Sequence, residues 1–163
     1  MNGMQAWELA SYVVTTLGLP LAVATFIYQQ RRERDNEDEE AYQMLSDAYV
    51  DFLKIVLANP DLPLRERGAT LDLSDEQQRR MNIIHQMLIS LFERAYLVAW
   101  TDEPDGLAAR RWASWDDYMR EWLACDAFHS QLMTLLRGED PAFARHMLKL
   151  AEDERGHPLG SGQ

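Results

Sequence analysis

The segment from Ser74 to Trp100 reads SDEQQRRMNIIHQMLISLFERAYLVAW and decides the fold class. Apolar residues recur along it every three or four positions, which is the period of an α-helix. Ser74 and Gln77 match an S-x-x-Q capping box at its start. The apolar positions cover most of the helix circumference: Ile83, Ile84, Met87, Leu88, Leu91, Ala95 and Val98. We therefore expect this helix to form the centre of an all-α core.

A second helical pattern precedes this segment. Its apolar residues are Tyr42, Leu45, Tyr49, Phe52 and Val56, at spacings of three and four. Asn59 stands before Pro60, and a residue before proline avoids helical geometry, so the helix is predicted to end there. The charged stretch from Arg31 to Glu40 is typical of a solvated helical stalk; the alternative is a site for a divalent cation or a basic partner. Together with the apolar run before it, this segment predicts one long helix over about 6–58.

Shorter helices are predicted after the central one. The first covers about 107–125, with a break near Ser114, which resembles an N-cap. The second follows Asp126 and stops at Gly138, a typical residue just past a helix end. Asp140 and Pro141 then match a cap followed by proline at the first helical position, which begins a helix to about residue 155. The sequence shows no strand alternation, so the fold class is all-α, a small helical bundle.

An uncharged run of 22 residues, Leu9 to Gln30, lies near the N-terminus. At about 1.5 Å per residue it is long enough for the roughly 30 Å hydrocarbon layer of a membrane. Trp7 and Tyr28 bracket it, where aromatic rings prefer the two interfaces. The run therefore predicts one transmembrane helix. The alternatives are a signal peptide cleaved after a small-x-small pattern at residues 22–24, and a buried core helix.

Basic residues predict the orientation of this span. Arg31, Arg32 and Arg34 follow it at once, and no Lys or Arg precedes it. The positive-inside rule then places the N-terminus outside and the C-terminal domain in the cytoplasm. The expected location is the inner (cytoplasmic) membrane, with the lipid bilayer as the first partner.

Small residues recur along one face of the predicted span. They are Ser11, Thr15, Gly18, Ala22 and Thr25. Such a face allows a second helix to approach closely, which predicts packing against other membrane-protein subunits or self-association. The alternative is that small residues are simply common in membrane spans.

The predicted organisation has four parts. They are a membrane helix with its N-terminal segment (1–30), a charged stalk with the first bundle helix (31–58), a cytoplasmic helical bundle (59–155) and a disordered tail (156–163). Residues 31–163 hold 16 basic and 26 acidic residues, which argues against nucleic-acid binding. A single cysteine excludes an internal disulfide framework.

Reactive side chains are few and scattered. Cys125 and His129 share a helix face, but a metal ion would need two more ligands, so we predict no metal site and no cofactor. Glu93 is a carboxylate within an apolar run, and a buried carboxylate can act as an acid or base. Its structural alternative is pairing with a neighbouring arginine or a tyrosine hydroxyl. His85 is a second polar residue in the same run. We assign no catalytic residue.

Aromatic residues concentrate in the third helical region. Trp112, Trp115, Tyr118 and Trp122 form the candidate partner surface. Tryptophan and tyrosine are frequent anchors of protein interfaces, but they also fill cores. Core packing, a partner interface and contact with lipid are the three interpretations.

The order of these motifs resembles a broad group of uncharacterised bacterial proteins. The resemblance rests on the FERAY stretch of residues 92–96, on the aromatic residues of 112–122 and on Asp140-Pro141 followed by Phe143. It covers about residues 6–155. It implies a single N-terminal span with a cytoplasmic all-helical domain, and it transfers no activity and no catalytic residue.

Together these features predict a membrane-anchored interaction or scaffold protein, an accessory subunit of a membrane complex that is not an enzyme. The alternative is a membrane-tethered ligand sensor or enzyme with a pocket near Glu93. Substitution of Glu93 by Gln distinguishes the two. Lost assembly would favour the scaffold protein, whereas lost function with near-normal assembly would favour the sensor or enzyme.

Overall fold

The computed structural model describes residues 3–67, 72–102 and 106–155, with side chains from residue 22 onward except 31, 34–36 and 155. The described residues form five α-helices and no strand. The helices are α1 (Gly3–Ala58), α2 (Asp75–Ala99), α3 (Gly106–Leu123), α4 (Asp126–Leu135) and α5 (Pro141–Arg155). The predicted all-α class is confirmed for this part of the chain.

The chain divides into two compact units, with the boundary between Ala41 and Tyr42 inside α1. Among the residues searched, which are the described ones, no helix is long and apolar enough to cross a membrane. The side chains of Leu9 to Leu21, the larger part of the predicted span, lie outside the described residues. So do Trp7, Ser11, Thr15, Gly18, Arg31, Arg34 and the predicted tail, 156–163. The single-pass topology therefore stays a prediction.

The core of the second unit draws on all five helices. Its members include Phe52 from α1, Leu88 and Phe92 from α2, Trp115 and Trp122 from α3, Phe128 from α4, and Phe143 and Met147 from α5. Helices α2 and α3 pack against each other, and both contact α4 and α5. The centre of the bundle is thus shared by α2 and α3, whereas the sequence pattern indicated α2 alone.

The expectation that α2 is buried around most of its circumference is wrong. Ile84 and Leu88 are buried, but Ile83 is 57% exposed and Met87 is 44% exposed. Val98 is exposed as well. Helical periodicity shows which residues share a face, but not how wide a face the neighbouring helices cover.

The predicted helix ends follow the local chemistry of the caps. Ser74 Oγ accepts from the backbone N–H of Gln77, and the Gln77 side chain accepts from the backbone N–H of Ser74, which confirms the capping box. Helix α1 ends at Ala58, directly before Asn59 and Pro60. Asp140 Oδ1 accepts from two backbone N–H groups at the start of α5. Each of these ends is set by residues close in sequence.

The predicted break at Ser114 is wrong, because α3 runs through this residue without interruption. Ser114 Oγ donates to the carbonyl oxygen of Arg110, 3.4 Å away. A serine inside a helix satisfies its hydroxyl in this way, so the residue type alone did not identify a cap. The chain instead turns at Ala124 and Cys125, before α4.

Candidate functional site

The first unit presents an apolar helical surface in α1. Every residue from Ala22 to Gln30 is exposed, and the large side chains of Phe26 and Tyr28 are 63% and 66% exposed. Thr25 Oγ1 donates to the carbonyl oxygen of Ala22 at 2.9 Å, so its hydroxyl is satisfied within the helix. Exposed apolar surface of this kind is unfavourable in water and favourable against lipid or another apolar helix.

The second unit contains a groove between α1 and α2, with a volume of about 590 Å³. Buried Phe52 and Leu91 form part of its floor. Ile83 and Met87 stand exposed along its α2 side. Asp51 of α1 is also part of the lining. The complete lining is Ala48, Asp51, Phe52, Ile55, Ile83, Gln86, Met87, Ser90, Leu91 and Arg94.

Helical spacing builds the α2 edge of this groove. Ile83, Met87, Ser90 and Arg94 follow one another at intervals of four, three and four, so they lie along one side of the helix. Residues one position further on, Ile84 and Leu88, turn into the core. The sequence prediction missed this edge because it assigned Ile83 and Met87 to the interior. Ser90 and Arg94, which continue the same row, are the polar residues that mark this edge in the sequence.

The aromatic residues proposed as a partner surface divide into two groups. Trp115 and Trp122 are buried, and Trp122 Nε1 donates to the Tyr49 hydroxyl at 3.2 Å. For these two the partner-surface interpretation is wrong, because they fill the core against α1. Trp112 and Tyr118 are half-buried and pack against the same core. Burial and the bond to Trp122 have opposite effects on the Tyr49 pKa, and burial dominates, so the pKa is raised.

His146 forms a second aromatic cluster that the sequence analysis left unassigned. The rings of Tyr96, Trp100 and Trp112 surround its imidazole, with centroids 5.2 to 5.5 Å away. Its Nε2 lies 3.1 Å from Asp116 Oδ1. This hydrogen bond and the neighbouring Arg120 lower the pKa of Asp116. The cluster joins the C-terminal end of α2 and the middle of α3 to α5, and no local sequence motif connects these residues.

Glu93 has a structural partner far away in sequence. One oxygen of its carboxylate accepts from the backbone N–H of Asp140, at the turn before α5. Burial, then a hydrogen bond to Glu93 and its negative charge, raise the pKa of Glu139 to about 7. The sequence had suggested that an arginine pairs with Glu93. Among the described residues, neither Arg94 nor Arg120 does so. The carboxylate links α2 to the turn between α4 and α5.

His85 is fully buried between α2 and α4. Its Nδ1 lies 3.3 Å from Gln131 Oε1, and its ring packs edge-on against Phe128. Its Nε2 has no hydrogen-bond partner among the described residues. Burial lowers its pKa to about 4 and outweighs the opposite effect of Gln131. A polar cavity of about 230 Å³ lies beside this pair and includes Gln131 and Asn82 in its lining.

Cys125 and His129 do not form a metal site in the part of the chain that the structure describes. Cys125 is buried at the start of α4, and its Sγ donates to the carbonyl oxygen of Glu121 at 3.4 Å. No group of three or more His, Cys, Asp or Glu residues is placed to bind a metal ion among the described residues.

No protein family model, curated protein or solved structure matches this chain. The resemblance to single-pass bacterial proteins therefore stays a prediction from sequence.

Proposed function

We propose that the protein is a helical interaction domain tethered to a membrane by its N-terminal helix. The observation that carries this proposal is the exposed apolar surface of residues 22–30, which continues the uncharged run beginning at Leu9. Burial of such a surface in lipid removes it from water, and the helix satisfies its own backbone groups there. Tyr28 and Arg32 are both exposed and lie where the uncharged run ends and the charged stretch begins.

The charges support one orientation. Arginines at 31, 32 and 34 follow the apolar run, and acidic residues dominate further along the stalk. Arginine next to anionic headgroups is favourable, and a carboxylate is better placed further from them. The domain from Tyr42 onward would then lie on the cytoplasmic side, as an accessory subunit of a membrane complex.

Flotation with lipid vesicles tests the tether. The full chain should float with vesicles of mixed neutral and anionic lipid and should remain bound in high salt and at alkaline pH. The double variant Val23→Asp/Phe26→Asp should remain at the bottom of the gradient, because a carboxylate within a span is unfavourable, with a cost that reaches roughly 2.5–3.5 kcal/mol at the centre.

The matched control is Leu57→Asp, the same type of change on the same helix. Leu57 is an exposed residue of the second unit. This variant should float like the unchanged chain. Release of the unchanged chain by salt alone would contradict a spanning anchor and would indicate surface binding.

The role as a subunit needs a separate experiment. The tagged full chain is purified from its native membrane in mild detergent, and the proteins that accompany it are quantified by mass spectrometry. A stoichiometric partner protein supports the accessory-subunit role. Recovery of the chain alone contradicts that role.

A further inference from the structure

The groove between α1 and α2 carries opposite charges on its two helices. Asp51 stands on the α1 side and Arg94 on the α2 side, with apolar residues between them. Arg94 makes no hydrogen bond or ion pair among the described residues. Asp51 pairs only with Lys54 there, at 2.8 Å, and both side chains of this pair are about 70% exposed to solvent. Both groove charges are therefore accessible to another molecule.

We propose that this groove binds the same groove of a second copy of the chain around a two-fold axis. In such an interface each copy offers the same patch, so every contact occurs twice. The exposed Ile83 and Met87 of one copy would pack towards Phe52 and Ile55 of the other. Apolar side chains that are now in water would become buried.

The charges favour a second copy over an unrelated helix. A two-fold rotation sets Asp51 of each copy against Arg94 of the other, which forms two ion pairs from residues already present. An unrelated helix would need to supply a base and an acid at matching positions. The apolar floor contributes affinity, and the paired charges fix the register.

This inference rests on the proposed membrane tether. The α2 edge from Ile83 to Arg94 is only about 16 Å long, at about 1.5 Å per residue, so the interface is small and weak in solution. Two chains held in the same membrane have a high effective concentration, which makes a weak contact effective. The small-residue face predicted for the span would lie in the same pair of chains.

Charge reversal tests the register directly. Two differently tagged copies of the full chain are co-expressed, chemically cross-linked in the membrane, extracted in mild detergent and captured through one tag; the yield of the other tag is measured. Arg94→Asp alone and Asp51→Arg alone should each reduce self-association about tenfold, because each sets like charges together. Co-expression of the two variants with each other should restore the yield, since one ion pair then keeps its natural sign and the other re-forms with reversed sign.

Arg79→Asp is the matched control, an exposed arginine of α2 that does not line the groove. It should leave the yield unchanged. Three results of the variant series would overturn the inference. They are an Arg94→Asp variant that self-associates normally, a pair of variants that fails to recover, and self-association that Gly18→Leu abolishes while the groove variants leave it intact.

Flotation of the same preparations separates this inference from the proposed function. A chain that floats with vesicles but stays monomeric keeps the tether and overturns the groove contact. A chain that self-associates through the groove but does not float keeps the contact and overturns the tether. A stoichiometric foreign protein whose capture depends on Arg94 also overturns the second-copy assignment.

Discussion

His85 lies in the core with its Nδ1 3.3 Å from Gln131 Oε1, and burial lowers its pKa to about 4. Its ordinary value is 6.5, so the unfolded chain binds this proton at a higher pH than the folded one. The stabilising contribution is complete above pH 6.5 and is lost as the pH falls towards 4. We expect protonation of His85 to lower the free energy of unfolding by on the order of 3 kcal/mol over that pH range.

The variant His85→Phe isolates this effect. The free energy of unfolding is measured by urea denaturation at several pH values between 7 and 4. Phenylalanine cannot titrate, so the variant should show a flatter pH dependence than the unchanged chain. His129→Gln, at a half-buried position, is the control and should keep the steeper dependence. Parallel curves for His85→Phe and the unchanged chain would contradict the assignment.

Glu139 titrates in the opposite sense. Its pKa is raised from 4.5 to about 7, so the folded chain holds its proton more tightly than the unfolded chain. The stabilising contribution is complete below pH 4.5 and is lost as the pH rises through 7. Glu139→Gln should therefore raise the melting temperature at pH 8 and change it little at pH 5. We expect this substitution to raise the free energy of unfolding by about 1 kcal/mol at pH 8. The gain is no larger because the side chain is partly exposed and solvent screens its charge.

Thermal denaturation at both pH values measures this difference, with Glu152→Gln as the control on an exposed residue of α5. An equal effect of Glu139→Gln at pH 5 and pH 8 would show that ionisation of Glu139, which burial and Glu93 oppose, is not its cause.

The sequence identified Glu93 as unusual but not its partner. An acidic residue within an apolar run is visible in one segment, whereas the backbone N–H of Asp140 lies 47 residues further along the chain. The cluster of aromatic residues around His146 was missed for the same reason, since its members come from distant parts of the chain. Contacts between distant segments depend on packing, which local spacing does not describe.

At the scale of the helices, the cap of α5 is a sharp test of local chemistry. Asp140 Oδ1 accepts from the backbone N–H groups of Ala142 and Phe143, at 2.8 and 3.0 Å. Asp140→Ala removes this acceptor and should lower the free energy of unfolding by about 1 kcal/mol. Urea denaturation at pH 7 measures the loss. Asp140→Asn keeps an acceptor oxygen and should retain most of the stability. If Asn destabilises as much as Ala, the negative charge matters rather than the cap.

Helix ends were the most predictable feature of this fold. Ser74 with Gln77, and Asp140 with Pro141, act through neighbouring residues, so a short sequence window contains the whole interaction. Ser114 shows the limit of this reasoning, because the same residue type also bonds back to a carbonyl inside a helix. The burial of Trp115 and Trp122 could not be predicted from such a short sequence window, because it depends on packing against other helices.

At the scale of the whole molecule, the boundary at Ala41 separates the apolar helical surface from the core. The buried residues of the described chain run from Leu45 to Ala151, all in the second unit. We therefore expect the fragment 42–163 to fold alone. Its aromatic core should give strong near-ultraviolet circular dichroism and one cooperative urea transition, and it should not float with vesicles. The fragment 60–163 is the comparison: it lacks Tyr49 and Phe52, which pack against Trp122, and should unfold at lower urea. Non-cooperative unfolding of 42–163 would mean that the core needs the first unit.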